Sequence, residues 1–376
     1  MLFVVGDLTL QLLHMLLALQ KLMELHRPNA TLSVLMVPLV ILQSVTRGLH
    51  LQSAAVPPPA ASPPACDPLV MKGRRPLMRL HFCARWAEAA AAPNVFALFI
   101  LSLTTDVMES ACENRPVVAA KLLQSFPGAQ LFPPLSWDDL LERKDVIYQR
   151  FGPAFMLPAA WFAVPTLQSV EHVAAQMLAG RADGRWMIKG SFSYGGLTCH
   201  SVQIKGGACA QLQQVLTTLY TQEHQRSIGI QPYEQGLHDF ELRAYLVRDP
   251  RLDVGWRPAV FVRTHILQHN DFSSFEAEQM QPVYGRSLEI AGFIDNLLSA
   301  HKDFFKQAVK LELPLLRLDC SYSPSLRRSF LSEMCPAGPA VLFTHVHAQE
   351  LAVVAGRGLA QGLWRLLPVA PAAQAT

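Results

Sequence analysis

The sequence predicts an α+β protein in which a small α/β domain precedes a larger domain of paired strands and helices. Two observations lead to this reading. From Trp137 onward, strand-like apolar segments stand in pairs across turns, with amphipathic helical segments between the pairs. Ahead of them, the Ala/Pro tract AAVPPPAASPPAC, Ala54 to Cys66, marks an extended, semi-rigid linker.

Residues 1–53 form an apolar leader. MLFVVGDLTLQLLHMLLALQ is interrupted by Asp7, Gln11 and His14 and lacks the basic start of a secretory signal. TLSVLMVPLVILQSV, Thr31 to Val45, falls short of the ~20 residues that span a bilayer and carries Pro38 in its middle. A helical hairpin, or a strand and helix, packed against the rest is expected here, with a membrane anchor as the alternative. After the linker (54–66), residues 67–135 read as the small α/β domain. NVFALFILSLTTD supplies a strand, and RPVVAAKLLQSFPGA a short helix with a Pro-Gly stop.

Residues 136–368 form the larger domain, read as lobes 136–229 and 230–368. SWDDLLERKDVIYQRF is helical, with Ser136 as N-cap and aspartates in the first turn. SVEHVAAQMLAG is a helix ended by Gly180. RWMIKG and LTCHSVQIKG are strands around a glycine-rich turn, followed by the helix AQLQQVLTTLYTQE. SIGIQPYEQG, FELRAYLVRD and RPAVFVRTHIL are strands, and SLEIAGFIDNLLSAHKDFFKQAVK is one long helix. LPLLRLDCSYS and RRSFLSEMCPAG close the pattern as strands.

Composition narrows the function. A chain that is 51% hydrophobic and 16% charged is not a disordered one. A net charge of +3 lacks the concentrated basic face of a nucleic-acid binder, and KGRRPLMR (Lys72 to Arg79) reads as solvated surface. Seven scattered cysteines without a CxxC pair exclude a disulfide framework or zinc ribbon and fit a reducing, cytoplasmic setting. No GxGxxG and no Walker loop occurs. His345 and His347 share a strand face, but no third zinc ligand accompanies them.

Five ordered landmarks in the last three-fifths of the chain resemble the ATP-grasp superfamily of ligases. They are Lys144; the strand lysine Lys189 before KGSFSYGG; the segment QPYEQG, Gln231 to Gly236; ELRAYLV with Arg243; and the strand pair RLDC and FLSEMCPAG with Asp319 and Glu333. The resemblance implies two α+β lobes that sandwich ATP. It also implies an ATP- and Mg²⁺-dependent ligase, with Mn²⁺ as an alternative ion. A small-molecule or peptide carboxylate becomes an acyl phosphate, and an amine or thiol attacks it.

Each residue then has an implied role beside an ordinary one. Lys144 and Lys189 would hold phosphates as point charges, or lie on a charged helix face and a plain hairpin respectively. Ser191, Ser193, Gly195 and Gly196 would form a mobile flap whose backbone N–H groups approach phosphate unobstructed. Gln231 and Tyr233 would line the adenine slot, with core packing the alternative for Tyr233. Either Glu234 or Asp239 would bond the ribose. Arg243 and Arg317 would stabilise the transferring group. Glu241 and Arg243 share one strand face, as do Arg317 and Asp319, and a cross-strand surface salt bridge is the alternative for Arg243. Asp319 and Glu333 would hold metal. The departure is Cys335, which stands where the family has an asparagine, and a thiol is a soft ligand that replaces an amide oxygen poorly on Mg²⁺. A nucleotide-binding pseudoenzyme and a membrane-tethered interaction protein are the alternative functions.

Overall fold

A computed structural model describes residues 2–5, 10–26, 32–37, 78–82, 95, 97–99, 120, 123–132, 134, 136–141, 143–192, 199–222, 225–234, 241–264, 272–276, 287–311, 313, 315–336 and 348–367. The chain divides into two compact units, Met1–Leu135 with Ala352–Thr376, and Ser136–Leu351.

The first unit is built on a parallel five-stranded sheet. Its strands are β1 (Leu2–Val5), β2 (Leu32–Val37), β3 (Met78–Phe82), β4 (Ala97–Phe99) and β5 (Gln130–Phe132), in the order β3-β2-β1-β4-β5. Helix α1 (Leu10–His26) links β1 to β2. The leader, read as mainly helical, therefore supplies two strands of this sheet besides its helix. The physical reason is that continuous apolar runs such as LSVLMV suit a parallel strand covered on both faces as well as they suit a helix. Residues 54–66 lie outside the described residues. No described helix is long and apolar enough to cross a membrane.

In the second unit two antiparallel sheets carry the architecture, so the α+β class expected from sequence is present. The smaller is β6 (Ala160–Ala163), β7 (Gly184–Gly190), β8 (Cys199–Ile204) and β9 (Ser227–Pro232), ordered β6-β9-β7-β8. The larger is β10 (Glu241–Arg248), β11 (Trp256–Thr264), β12 (Phe272–Glu276), β13 (Leu315–Ser323) and β14 (Arg328–Pro336), ordered β12-β11-β10-β13-β14. The helices are α2 (Ser136–Leu141), α3 (Lys144–Phe155), α4 (Val170–Leu178), α5 (Leu212–Thr221), α6 (Ser287–Ala300) and α7 (Lys302–Lys310). Helix α8 (Ala348–Leu366) follows.

Three boundaries differ from expectation. SWDDLLERKDVIYQRF is two helices rather than one, which makes Lys144 the first residue of α3 instead of part of a helix side. The long helix after Arg286 breaks at His301 into α6 and α7. Residues 352–368, read as the end of the second lobe, belong to the first unit. There Gly356 packs against the backbone of Met15, and Trp364 lies 5.6 Å from His26. An amphipathic helix declares which face it buries but not against what, so this assignment was not legible locally.

Each sheet of the second unit buries one face. On the smaller sheet Ile188, Val202, Ile204, Ile228 and Ile230 are at most 2% exposed and pack with Val173, Met177, Leu212, Leu216 and Leu219 from α4 and α5. Strand alternation then turns Lys189, Gly229 and Gln231 to the other face. On the larger sheet Leu242, Ala244 and Leu246 of β10 and Leu316, Leu318 and Cys320 of β13 are buried together. Glu241, Arg243, Arg317 and Asp319 alternate with them and share the opposite face.

Candidate functional site

The charged face of the larger sheet is set by register. Arg243 lies directly across from Asp319, and Asp319 across from Glu333. One step along, Tyr245 faces Arg317, and Arg317 faces Cys335. Directly opposed residues put their side chains on the same face, so these two rows bring five charged or thiol groups together. A bulge on β14 falls between the pairs Asp319–Glu333 and Cys320–Leu331, and Ser332 is the extra residue. Its hydroxyl donates to Glu241 Oε2 at 3.1 Å or to the Asp319 carbonyl at 3.0 Å.

Within this face charge is matched. Arg317 Nε and NH2 donate to the two Asp319 oxygens at 2.8 Å each, a bidentate fork. Arg243 Nε donates to Glu241 Oε1 at 3.1 Å and stands 3.7 Å from Asp319 Oδ2. Cys335 Sγ accepts from Arg317 at 3.1 Å and donates to Glu333 Oε1 at 3.3 Å. Burial pushes the Asp319 carboxyl up to about 7 against the pull of Arg317, with the nearby Glu241 charge adding to the push.

The smaller sheet contributes differently. Lys189 sits on β7 facing the same cleft, which is lined by Lys144, Tyr148, Trp161, Lys189, Gln231 and Ser332 with apolar Met156, Leu157, Phe330 and Leu331. Burial lowers the Lys189 ammonium pKa, and the nearby positive charge of Lys144 lowers it further. Among the described residues no carboxylate comes within ion-pair distance of Lys189.

Lys144 is brought to Lys189 by backbone. Its N–H donates to the Ser191 carbonyl at 3.0 Å, so α3 starts on the strand end that carries Lys189. Its Nζ meets Glu333 Oε2 at 3.3 Å. Burial would lower the Lys144 pKa, but Glu333 outweighs it and the net shift is upward. Burial likewise would raise Glu333, and Lys144 with Arg317 reverses it.

Some expected residues have a different place. Ser191, expected on a mobile flap, is buried and tied down: its hydroxyl donates to Asp145, its N–H to the Ser227 carbonyl at 2.9 Å, and its carbonyl holds Lys144. It anchors the loop rather than moving with it. Gly190 beside it lies under Gln225, where an added Cβ would stand 2.6 Å from the side chain, and Gln225 Oε1 accepts the Phe192 N–H at 3.1 Å. Ser193, Gly195, Gly196 and Asp239 lie outside the described residues, as do His345 and His347. Glu234 is buried and accepts hydrogen bonds from Ser323 and, at 2.8 Å, Ser325, which ties the end of β9 to the β13–β14 hairpin. Tyr233 carries the Arg185 guanidinium 3.8 Å over its ring, while Gln231 lines the cleft.

Sequence reading missed Asp145, Ser332 and Trp161. Asp145 and Ser332 show no motif because their roles come from partners 46 and 91 residues away. Trp161 had one available signal, an aromatic in the short strand AWFA ahead of the lysine hairpin.

The charge balance around this cleft leaves one cation over. Among the described residues of the cluster, four cations (Lys144, Lys189, Arg243, Arg317) meet three carboxylates (Glu241, Asp319, Glu333), and the cation left over, Lys189, faces the space. No group of three or more His, Cys, Asp or Glu among the described residues forms a metal site by itself. The opposed carboxylates of Asp319 and Glu333 fit Mg²⁺ as an ion that one or two carboxylates share with substrate phosphates and water.

No protein-family model matches the chain, and no curated protein matches it. Several solved structures resemble the chain. A D-cycloserine synthetase is 13% identical, covers 96% of this chain and 99% of its own, and superposes with a TM-score of 0.48. The D-alanine–D-alanine ligase of Helicobacter pylori is 14% identical over 65% of this chain and 68% of its own, at 0.41. An ATP-grasp ligase complexed with its minimal precursor is 12% identical over 95% of this chain and 98% of its own, at 0.39. None of these scores reaches 0.5, so the functional reading rests on the geometry above.

Proposed function

We propose that the cleft binds ATP and that the protein is an ATP- and Mg²⁺-dependent ligase joining a carboxylate to an amine or thiol. One observation carries the reading: Lys189, a largely buried cation with no described carboxylate partner, shares a cleft with Lys144 and lies beside a sheet face whose own charges are already matched. An unpartnered buried ammonium is costly, and an anion that enters the cleft relieves the cost.

Lys189 and Lys144 hold phosphate oxygens as point charges. Asp319 and Glu333 would hold the divalent ion, which would supply charge neutralisation at the phosphates. Arg243 and Arg317 face the transferring phosphoryl group, which needs positioning and neutralisation more than covalent help. The substrate carboxylate oxygen attacks the γ-phosphorus, the bond to the β-phosphate oxygen breaks, and ADP leaves with that electron pair. The acceptor's nitrogen or sulfur then attacks the acyl carbon, inorganic phosphate departs, and the acceptor's proton is lost to solvent. Gln231 lines the base end, and Glu234, or Asp239, bonds the ribose. A cytoplasmic setting, where ATP is supplied, suits this reading, with small-molecule or peptide partners.

Cys335 favours a second reading, a nucleotide binder without turnover. Its thiol occupies a position between Arg317 and Glu333 where a hard oxygen ligand would serve the ion better. Measuring ADP release by the full chain with Mg²⁺ and ATP, across amino acids, peptides and small carboxylic acids, separates the two. The ligase reading expects an acceptor-dependent signal that Asp319→Ala removes. A signal unchanged by Asp319→Ala overturns it, and binding of ATP with no signal for any acceptor selects the silent binder.

A further inference from the structure

We propose that Trp161 is a specificity-determining contact of this cleft: its indole N–H donates a hydrogen bond to a ring-nitrogen acceptor of the purine base. The inference rests on the nucleotide reading above and adds to it the group that selects the base.

Register puts Trp161 in the same row as the phosphate-binding lysine. Lys189 pairs with Gly229, and Gly229 with Trp161, so all three share the face opposite the Ile228–Ile230 core. Gly229 makes room for the ring. A Cβ built there would lie 2.9 Å from two indole carbons, so the indole lies flat on the strand backbone where any larger residue would lift it. The ring is thus held in place from below, and Trp161 is among the residues that line the cleft.

The indole nitrogen Nε1 is buried and, among the described residues, meets no hydrogen-bond acceptor. Buried indole N–H groups ordinarily find one, and leaving a buried donor unmade is costly. Trp161 contrasts with Trp137 and Trp256 of the same unit, whose Nε1 groups donate to the carbonyls of Leu311 at 3.0 Å and Phe305 at 2.9 Å. The tryptophans with structural roles are satisfied; the one in the cleft is not. Its surroundings define the missing acceptor. Met156, Leu157 and Phe330 line the same space with apolar surface, which suits a flat heteroaromatic ring. A neutral donor in an apolar setting matches a neutral ring nitrogen, whereas anionic phosphate oxygens go to the lysines.

The test measures equilibrium binding of ATP and of its 1-deaza, 3-deaza and 7-deaza analogues to the full chain and to Trp161→Phe, which keeps an aromatic ring and removes the donor. Wild type is expected to bind one deaza analogue about 3- to 10-fold more weakly than ATP, the scale of one hydrogen bond. Trp161→Phe should lose a similar factor for ATP and show no preference between ATP and that analogue. If wild type binds all three analogues as tightly as ATP, the proposal is overturned, and this arm decides even where the variant does not fold. It is equally overturned if folded Trp161→Phe binds ATP like wild type. Failure of wild type to bind ATP at all removes the nucleotide reading itself and this contact with it.

Discussion

The two antiparallel sheets of the 136–351 unit each carry a polar face but treat charge in opposite ways. On the larger sheet, cations and carboxylates alternate in register and pair within the sheet: Arg317 with Asp319, and Arg243 with Glu241. On the smaller sheet, Lys189 has no described counter-ion, and its row continues through a bare glycine to a tryptophan with an unmade hydrogen bond. The matched face is a pre-set electrostatic surface in which each carboxylate is held against a cation. The unmatched face is where a ligand has something to gain. Binding sites are therefore better sought where buried polar groups are left over than where they are most numerous.

This contrast can be broken by experiment. The largest effect is expected at Arg317→Met, which leaves the Asp319 carboxylate buried without its fork. Such a loss costs about 3–5 kcal/mol, read by urea unfolding, and adding Asp319→Leu should recover most of it. A single-variant loss below about 1 kcal/mol would mean that the face is not charge-matched in the way described.

Lys189→Met should behave in the reverse sense. Removing an unpaired buried cation leaves stability unchanged or higher, while ATP affinity falls on the order of tenfold to a hundredfold, the worth of a charge-assisted hydrogen bond. A clear drop in unfolding midpoint together with unaltered ATP affinity would assign Lys189 to the scaffold instead. Next, Gly229→Ala forces a Cβ against the Trp161 ring. Overpacking of this kind costs about 1–3 kcal/mol, and ATP affinity should fall with it; a variant with wild-type stability would show that the ring has room to move.

The smallest effect is expected outside the cleft, at Asp249. Hydrogen bonds from Arg251, then the charges of Arg251 and Arg257, hold this carboxyl down at about 2. A depressed carboxyl adds stability that is present above its ordinary value near 4 and is lost as pH falls through about 2. Asp249→Asn should thus melt slightly below wild type at pH 6 and level with it at pH 2. The gap stays small because the Arg251 side chain is 82% exposed to water. A gap that widens on acidification would contradict the sign.

Much of the second unit was legible residue by residue. Strand alternation alone put Arg317 with Asp319, and Glu241 with Arg243, on one face, because side chains two apart share a face whatever the fold. The hairpin around KGSFSYGG was legible from turn chemistry, and Lys189 was singled out from it. The break between α2 and α3 was not, since SWDDLLERKDVIYQRF has no Gly or Pro to mark it. LQHNDFSSFEAEQMQPVYGR, residues 267–286, has no strand pattern, yet it contains β12, whose polar FSSFE shows no alternation and is recruited by pairing with β11. Local preference is weak beside the hydrogen bonds that a neighbouring edge offers.

By itself the sequence determined the α+β class, the order of the elements from Trp137 onward, and the short list of cations and carboxylates with chemistry to offer, because all of these follow from spacing of two or of 3.6 residues along the chain. Only the tertiary structure decided which of them meet. Pairing Glu333 with Lys144, laying Trp161 on Gly229 and leaving Lys189 without a described counter-ion depend on contacts between segments far apart in sequence. Register and packing set such contacts, and no local period encodes them.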